Sequence, residues 1–242
     1  MNTSTPEFRL RGLQTTRIET LTDAAFAFAF TLLVIGQGKL PANYVELLQA
    51  LLHIPAFVCS IALLGVFWFG HHLWSRRTGM DDGITTVLSF GLVLTILVYV
   101  YPIKAVFSSM FHTLSGGLLP TGIQLSTFAE LSGLFVIYGL GFALMCSWLI
   151  LLHWHALRKQ QQLELTLWEK TVLTISMQAW ILMAMIGFIS ALLAATLPKS
   201  LVVFSGYFYA SLSAAMPLFG LYSQRRYKAV KRQLAANPPA SL

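Results

Sequence analysis

The sequence predicts an all-α membrane protein with six transmembrane helices per subunit, and three observations carry that expectation. Of its 242 residues, 56% are hydrophobic and only 10% are charged, with a mean hydropathy of +0.70. A soluble domain carries about 25% charged residues to keep its surface wet. Six apolar runs are each long enough to cross a bilayer, which takes roughly 20 helical residues. The basic residues fall almost wholly in alternate loops, as the positive-inside rule requires. The same apolar content excludes a disordered chain. No run has the short alternating segments of a membrane β-barrel.

The first run, 18–36, follows Arg9, Arg11 and Arg17. Ala27-Phe28-Ala29 imitates a signal-peptide cleavage pattern, but Thr31-Leu32-Leu33-Val34-Ile35 carries the apolar run past it. A retained first helix is therefore expected. The second run, 50–73, closes on Phe67-Trp68-Phe69-Gly70-His71-His72. The third, fourth, fifth and sixth are expected over 84–107, 128–153, 171–196 and 200–222. Pro102 and Pro217 lie late in the third and sixth runs, where each removes a backbone donor and is expected to kink or end its helix. The stretch from Ser108 to Thr127, with Gly116-Gly117 and Pro120, reads as a loop or a short re-entrant turn. It lacks the Thr-Val-Gly-Tyr-Gly filter of potassium channels built on that signature.

Small residues at four-residue spacing mark faces for close helix packing. They are Gly187, Ala191 and Ala195 on the fifth run, Gly206, Ala210 and Ala214 on the sixth, and Gly133 and Gly141 on the fourth. Residues 1–227 are expected to form one six-helix domain, followed by a basic tail over 228–242 whose end, from Ala235, is expected to be disordered.

The net charge of +7 takes its meaning from placement. Arg9, Arg11 and Arg17, then Arg76 and Arg77, then Arg158, Lys159 and Lys170, and finally Arg225, Arg226, Lys228, Lys231 and Arg232 all fall on one side. Only Lys39, Lys104 and Lys199 fall on the other. This asymmetry puts both termini in the cytoplasm of a cell inner or plasma membrane. It is a topogenic signal rather than a sign of a nucleic-acid partner, and the C-terminal run is placed to touch anionic lipid heads. Cys59 and Cys146 sit inside apolar runs with no metal-ligand spacing around them, so neither a metal nor a redox role is expected.

Few polar side chains enter the spans, and an ionisable group there usually has a task. Asp23 admits two readings. Thr16-x-x-Glu19 and Thr20-x-x-Asp23 both fit a capping box at a helix start. Alternatively, Asp23 makes a buried polar contact with another helix. Arg17, six residues earlier, does not share its helix face. His71 and His72 are adjacent and diverge by about 100°, as do His153 and His155 in their own way. They serve either as interfacial anchors or, for His71 and His72, as members of a polar cluster with Arg17 and Asp23. Phe28, Thr31, Leu32 and Ile35 fall at i, i+3, i+4 and i+7 on one face of the first helix. The stripe is either packed in a bundle or, in a symmetric oligomer, gathered around an axis as a hydrophobic constriction with a ring of hydroxyls.

Arg17-x-x-x-Leu21-Thr22-Asp23, followed by Ala24–Phe30 and Thr31-Leu32-Leu33-Val34, resembles the first-helix signature of the transmembrane protein 175 family. These are lysosomal and prokaryotic potassium channels. Phe67-Trp68-Phe69-Gly70-His71-His72 is similar to that family's second-helix Trp-x-x-His region, and Val98-Tyr99-Val100-Tyr101-Pro102 to its third-helix Leu-Leu-Pro segment. The likeness covers roughly the first three spans. It implies a homotetramer whose first helices line a central pore, with Phe28, Thr31, Leu32 and Ile35 at the constriction. It also implies that Arg17, Thr22, Asp23, Trp68, His71 and His72 form the polar network supporting the pore helix. Phe28 and Leu21-Thr22 depart from the family pattern, which has an aliphatic residue and Phe-Ser at those places. Four Phe rings would narrow the pore and offer π-faces to a cation.

The function expected is a potassium-preferring cation channel. It needs no cofactor and no bound metal beyond the permeant potassium ion, and its partners are further copies of itself, lipids and monovalent cations. The alternative is a small secondary or proton-coupled transporter, which a midplane ionisable residue or a broken helix would favour. No Ser/His constellation, paired acids or zinc spacing points to an enzyme.

Overall fold

The structure, a computed structural model, describes residues 8–35 and 41–236. They form an all-helical bundle. In chain order the helices are α1 (Arg17–Ile35), α2 (Tyr44–Leu51), α3 (Ile54–Thr78), α4 (Gly83–Leu114), α5 (Phe128–Arg158), α6 (Leu167–Thr196), α7 (Val203–Tyr207) and α8 (Leu212–Ala236). Short 3-10 turns at Lys199–Leu201 and Phe208–Ser211 flank α7. Helices α3, α4, α5 and α6 have the length and hydropathy of membrane spans.

Side chains set most of the helix starts. Asn43, Asp82, Thr127 and Thr166 each accept a hydrogen bond from the backbone N–H three residues on. Thr166 and Glu169 complete a reciprocal capping box. Thr16 accepts from Glu19 N at 3.2 Å and so starts α1. Gly79, with φ of 60°, ends α3 in the left-handed conformation, and a Cβ there would lie 2.8 Å from the Arg11 carbonyl carbon.

Several expected boundaries move. The run expected to begin at residue 50 splits into α2 and α3, with Pro55 in the first turn of α3, where its missing N–H costs nothing. Helix α4 does not end near residue 107: it passes Pro102 and runs to Leu114, so the loop starts at Ser115. The expected sixth span is not one α-helix. Its start is α7, a 3-10 turn interrupts it at Phe208–Ser211, and α8 passes Pro217 and continues to Ala236, through the boundary expected at residue 228. Residues 237–242, most of the tail expected to be disordered, lie outside the described residues.

The core forms where α4, α5 and α6 meet α1 and α3. Leu64, Phe67, Leu92, Ile96, Met145 and Leu149 are fully buried there. Helices α5 and α6 pack tightly together at Gly139 and Gly187. A Cβ on Gly139 would sit 2.6 Å from Gly187 O, and one on Gly187 would sit 2.8 Å from Phe142 Cδ1. Ala191 completes this contact, as expected for small residues in lipid. Gly141 admits the Tyr99 ring, whose hydroxyl donates to Tyr138 O. All three expected packing faces are only partly used. Gly133 faces open space, and Ala195, Ala210 and Ala214 are exposed within the chain.

Contacts gather the basic loops at one end of the bundle. Arg11 N and Gly12 N donate to Arg76 O at 3.2 and 3.1 Å. The Arg11 guanidinium grips Glu169 with two bonds, at 2.8 and 3.1 Å, and donates to Leu163 O. Arg76 Nη1 donates to Gly12 O at 2.6 Å. Residues 9–12 are thereby clamped to the end of α3 and the start of α6. Nearby, Asp82 accepts from Lys159 Nζ at 2.6 Å and lies 2.9 Å from His155 Nε2. His153 is buried and bonds the Leu149 carbonyl. Neither histidine is therefore the interfacial anchor expected for the pair.

Candidate functional site

Helix α1 has two unlike sides. Ile18, Glu19, Thr22, Phe26, Ala29 and Leu33 are buried against α3 and α4. Opposite them, Arg17, Leu21, Ala24, Phe28 and Thr31 are exposed, Phe28 by 55%. These last five recur at alternating steps of four and three residues. That is the 3.5-residue period of a seam made to meet another helix. Nothing among the described residues covers it. Of the stripe expected from the sequence, Phe28 and Thr31 lie on this bare side and Leu32 is half-buried at its edge. The side chain of Ile35, the last residue of α1, lies outside the described residues. Leu21 and Ala24, not singled out from sequence, extend the bare side toward Arg17. Thr31 Oγ1 donates to Ala27 O at 3.0 Å, so its proton is spent inside the helix and its lone pairs face outward.

On the edge toward α3 the two helices are joined by a polar ladder. Glu19 and Asp23 are one turn apart on α1, and Trp68, His72 and Arg76 are successive turns of α3, so each set shares a face. The helices run antiparallel and the two sets pair off. Trp68 Nε1 donates to Asp23 Oδ1 at 2.8 Å. The Trp68 ring stacks on His72 at 5.6 Å. His72 Nδ1 lies 3.5 Å from Glu19 Oε1, and Arg76 Nε lies 3.9 Å from the same oxygen. Asp23 thus makes the interhelical contact, though only half-buried, while the capping role falls to Thr16.

The expected network is regrouped. Asp23 and Trp68 meet. His72 turns to Glu19, and His71 Nε2 lies 3.0 Å from Ser89 Oγ of α4. Thr22 donates to Ile18 O within its own helix. Arg17 is exposed and has no polar partner among the described residues. The sequence reading missed Glu19, only 2% exposed, because an acid in a first turn passes for a cap. The i, i+4 spacing of Glu19 and Asp23, set against that of Trp68, His72 and Arg76, was the signal available.

Four helices fit to cross a bilayer, and a first helix held along one side and bare along the other, define an α-helical membrane protein with an unpartnered helix face. The comparisons agree. A family model described as "Endosomal/lysosomal potassium channel TMEM175" matches residues 17–102, which hold α1, α3 and most of α4. A protein named "Potassium channel" from Marivirga tractuosa is 31% identical over 231 residues, 91% of this chain and 92% of that protein. The chain belongs to the TMEM175 family. The crystal structure of a variant of the potassium channel MtTMEM175, in complex with a nanobody fusion, matches with a TM-score of 0.79 at 28% identity. That match covers 91% of this chain and 98% of the other. A lysosomal potassium-selective channel TMEM175 homologue from Chamaesiphon minutus shares the fold, with a TM-score of 0.54, 21% identity, and coverage of 86% and 97%.

Proposed function

We propose that this chain conducts potassium in preference to other cations, passively, through the axis of a homotetramer lined by α1. The supporting observation is the bare seam of α1. An unpartnered seam carrying Phe28 and Thr31 on a helix whose opposite side is buried in its subunit suits burial against symmetry copies around a pore. Each subunit contributes six spans, namely α1, α3, α4, α5, α6 and the α7–α8 pair, with both termini cytoplasmic in an inner or plasma membrane. Residues 1–227 form the channel domain and 228–242 a basic cytoplasmic tail, carried at first on α8.

At the constriction, Phe28, Leu32 and Ile35 exclude bulk water and Thr31 presents acceptor lone pairs. An apolar ring gates by dewetting. A cation that sheds water there finds the Phe28 ring faces and the Thr31 oxygens in its place. Potassium releases its hydration shell at less cost than sodium, which sets the preference. Asp23, Trp68 and His72, with Glu19, fix α1 against α3, while Thr22 bonds Ile18 O within α1 and His71 ties α3 to Ser89 of α4. Arg17, bare in its own subunit, belongs to the boundary with the next. A carrier gains only the 3-10 interruption at Phe208–Ser211, which bears no acidic or basic side chain.

Proteoliposomes loaded with potassium test the reading. Phe28→Ala raises potassium flux about ten-fold, as a barrier lowered by about 1.4 kcal/mol would. Thr31→Ala reduces the preference for potassium over sodium. Unchanged flux and preference in both variants, with normal assembly, rule out α1 as the pore lining.

A further inference from the structure

We infer that the groove between α6 and α8 binds an anionic phospholipid, with the phosphate held by Lys170 and Arg226. The groove has a volume of about 190 Å³ and lies at the end of the bundle where the basic loops gather. Its floor is one face of α6, where Lys170, Thr171, Thr174, Ile175 and Gln178 follow at helical spacing, and Arg226 of α8 lies over it. From Lys170 to Gln178 the groove runs about 12 Å along the helix axis.

Charge selects the ligand class. Several neighbouring cations are already engaged: Arg11 by Glu169, Lys159 by Asp82, Arg77 by Ser176 Oγ and the Phe8 ring, and Lys231 by the Trp168 ring; Arg225 and Lys228 of α8 do not line the groove. Lys170 and Arg226 have no carboxylate partner among the described residues, yet they line one cavity. Two unneutralised cations facing each other across a groove call for an anion. Basic pockets between membrane helices serve lipid heads in this way.

The rest of the lining selects a lipid over a free anion. Thr171 and Thr174 spend their protons on Leu167 O and Lys170 O, both at 2.8 Å, so the groove beyond the two cations offers no hydroxyl donors to a phosphate. That part is mainly apolar and suits an acyl chain lying along Ile175. Gln178, whose Oε1 has no partner, closes the inner end. The proposal stands apart from conduction and needs only that the chain sits in a bilayer.

Native mass spectrometry of the full chain in detergent, titrated with phosphatidylglycerol, tests it. The double variant Lys170→Gln/Arg226→Gln should bind phosphatidylglycerol about 30-fold more weakly, the effect of losing two cationic contacts. Arg225→Gln/Lys228→Gln removes the same charge nearby and should leave binding unchanged. Thr174→Phe, which fills the groove without altering charge, should weaken binding as well. Phosphatidylcholine should bind weakly, and excess inorganic phosphate should not displace the lipid. Equal loss in the two double variants would show diffuse attraction and overturn the site. So would phosphatidylcholine binding as tightly, displacement by phosphate, or full binding by Thr174→Phe.

Discussion

The bond between Trp68 and Asp23 joins α1 to α3, and its strength can be measured by a double-mutant cycle. Trp68→Phe removes the indole N–H and keeps an aromatic ring against His72. The Asp23 carboxylate then loses a donor at 2.8 Å. Hydrogen bonds to charged groups contribute about 1.5–3 kcal/mol, so Trp68→Phe is expected to cost about 2 kcal/mol. Asp23→Asn keeps an acceptor oxygen and loses the charge. Neutral hydrogen bonds are roughly half as strong, so this change costs about 1 kcal/mol. With Trp68 already replaced there is no bond to weaken, and Asp23→Asn should cost little more. The cycle then yields a coupling of about 1 kcal/mol, beyond the roughly 0.3–0.5 kcal/mol within which independent sites add. Thermal unfolding of the purified protein in detergent reads it, at about 2–4 °C per kcal/mol for a chain of this size. Trp68→Phe should lower the midpoint by about 4–8 °C. Single-variant shifts that simply add in the double variant would refute the ladder as the link between the helices.

Two further outcomes follow from packing and charge. Gly139→Ala places a methyl 2.6 Å from Gly187 O and must push α5 off α6, at about 1–3 kcal/mol, whereas Gly133→Ala meets nothing within 4 Å and should stay within about 0.5 kcal/mol of the parent; thermal unfolding of the pair separates them. Burial pushes the Asp82 carboxyl up, but hydrogen bonds from Lys159, the Thr85 backbone and His155 outweigh it and hold the group well below the usual carboxylate range. A depressed carboxylate contributes stability that is full above its unfolded value of about 3.9 and is lost as pH falls through its folded value. Unfolding midpoints taken from pH 7 to pH 3 should therefore fall less steeply below about pH 4 in Asp82→Asn than in the parent.

How much the sequence discloses varies along the chain with the physics that sets each feature. The start of α1 was readable within a residue, 18 against 17, because Thr16 and an unbroken apolar run define it locally, while the expected end at residue 36 lies outside the described residues. The close approach of α5 and α6 was foreshadowed by Gly187 and Ala191, since small residues in lipid have few other uses. The bare stripe was half visible. Phe28 and Thr31 were found, but a search for apolar neighbours at i+4 and i+7 ran toward Leu32 and Ile35 and missed Leu21 and Ala24 in the other direction. The break at Phe208–Ser211 left no trace in hydropathy, because Phe, Tyr and Ala suit a 3-10 turn and an α-helix equally. Arg9 and Arg11 looked purely topogenic. Their partners, Glu164, Leu163 and Glu169, lie more than 150 residues away, and no local pattern announces such a pairing.

The clamp at residues 9–12 acts as a cable gland does, holding the chain where it enters the bundle. Arg11 and Gly12 are tied to Arg76 and Glu169 before the chain reaches Thr16. A pull on anything attached ahead of residue 8 therefore loads the ends of α3 and α6, and the first turn of α1 is spared. The helix that carries Phe28 and Thr31 is thereby mechanically insulated from its own N-terminal flank, and its tilt is set by the ladder with α3 and by whatever meets its bare side.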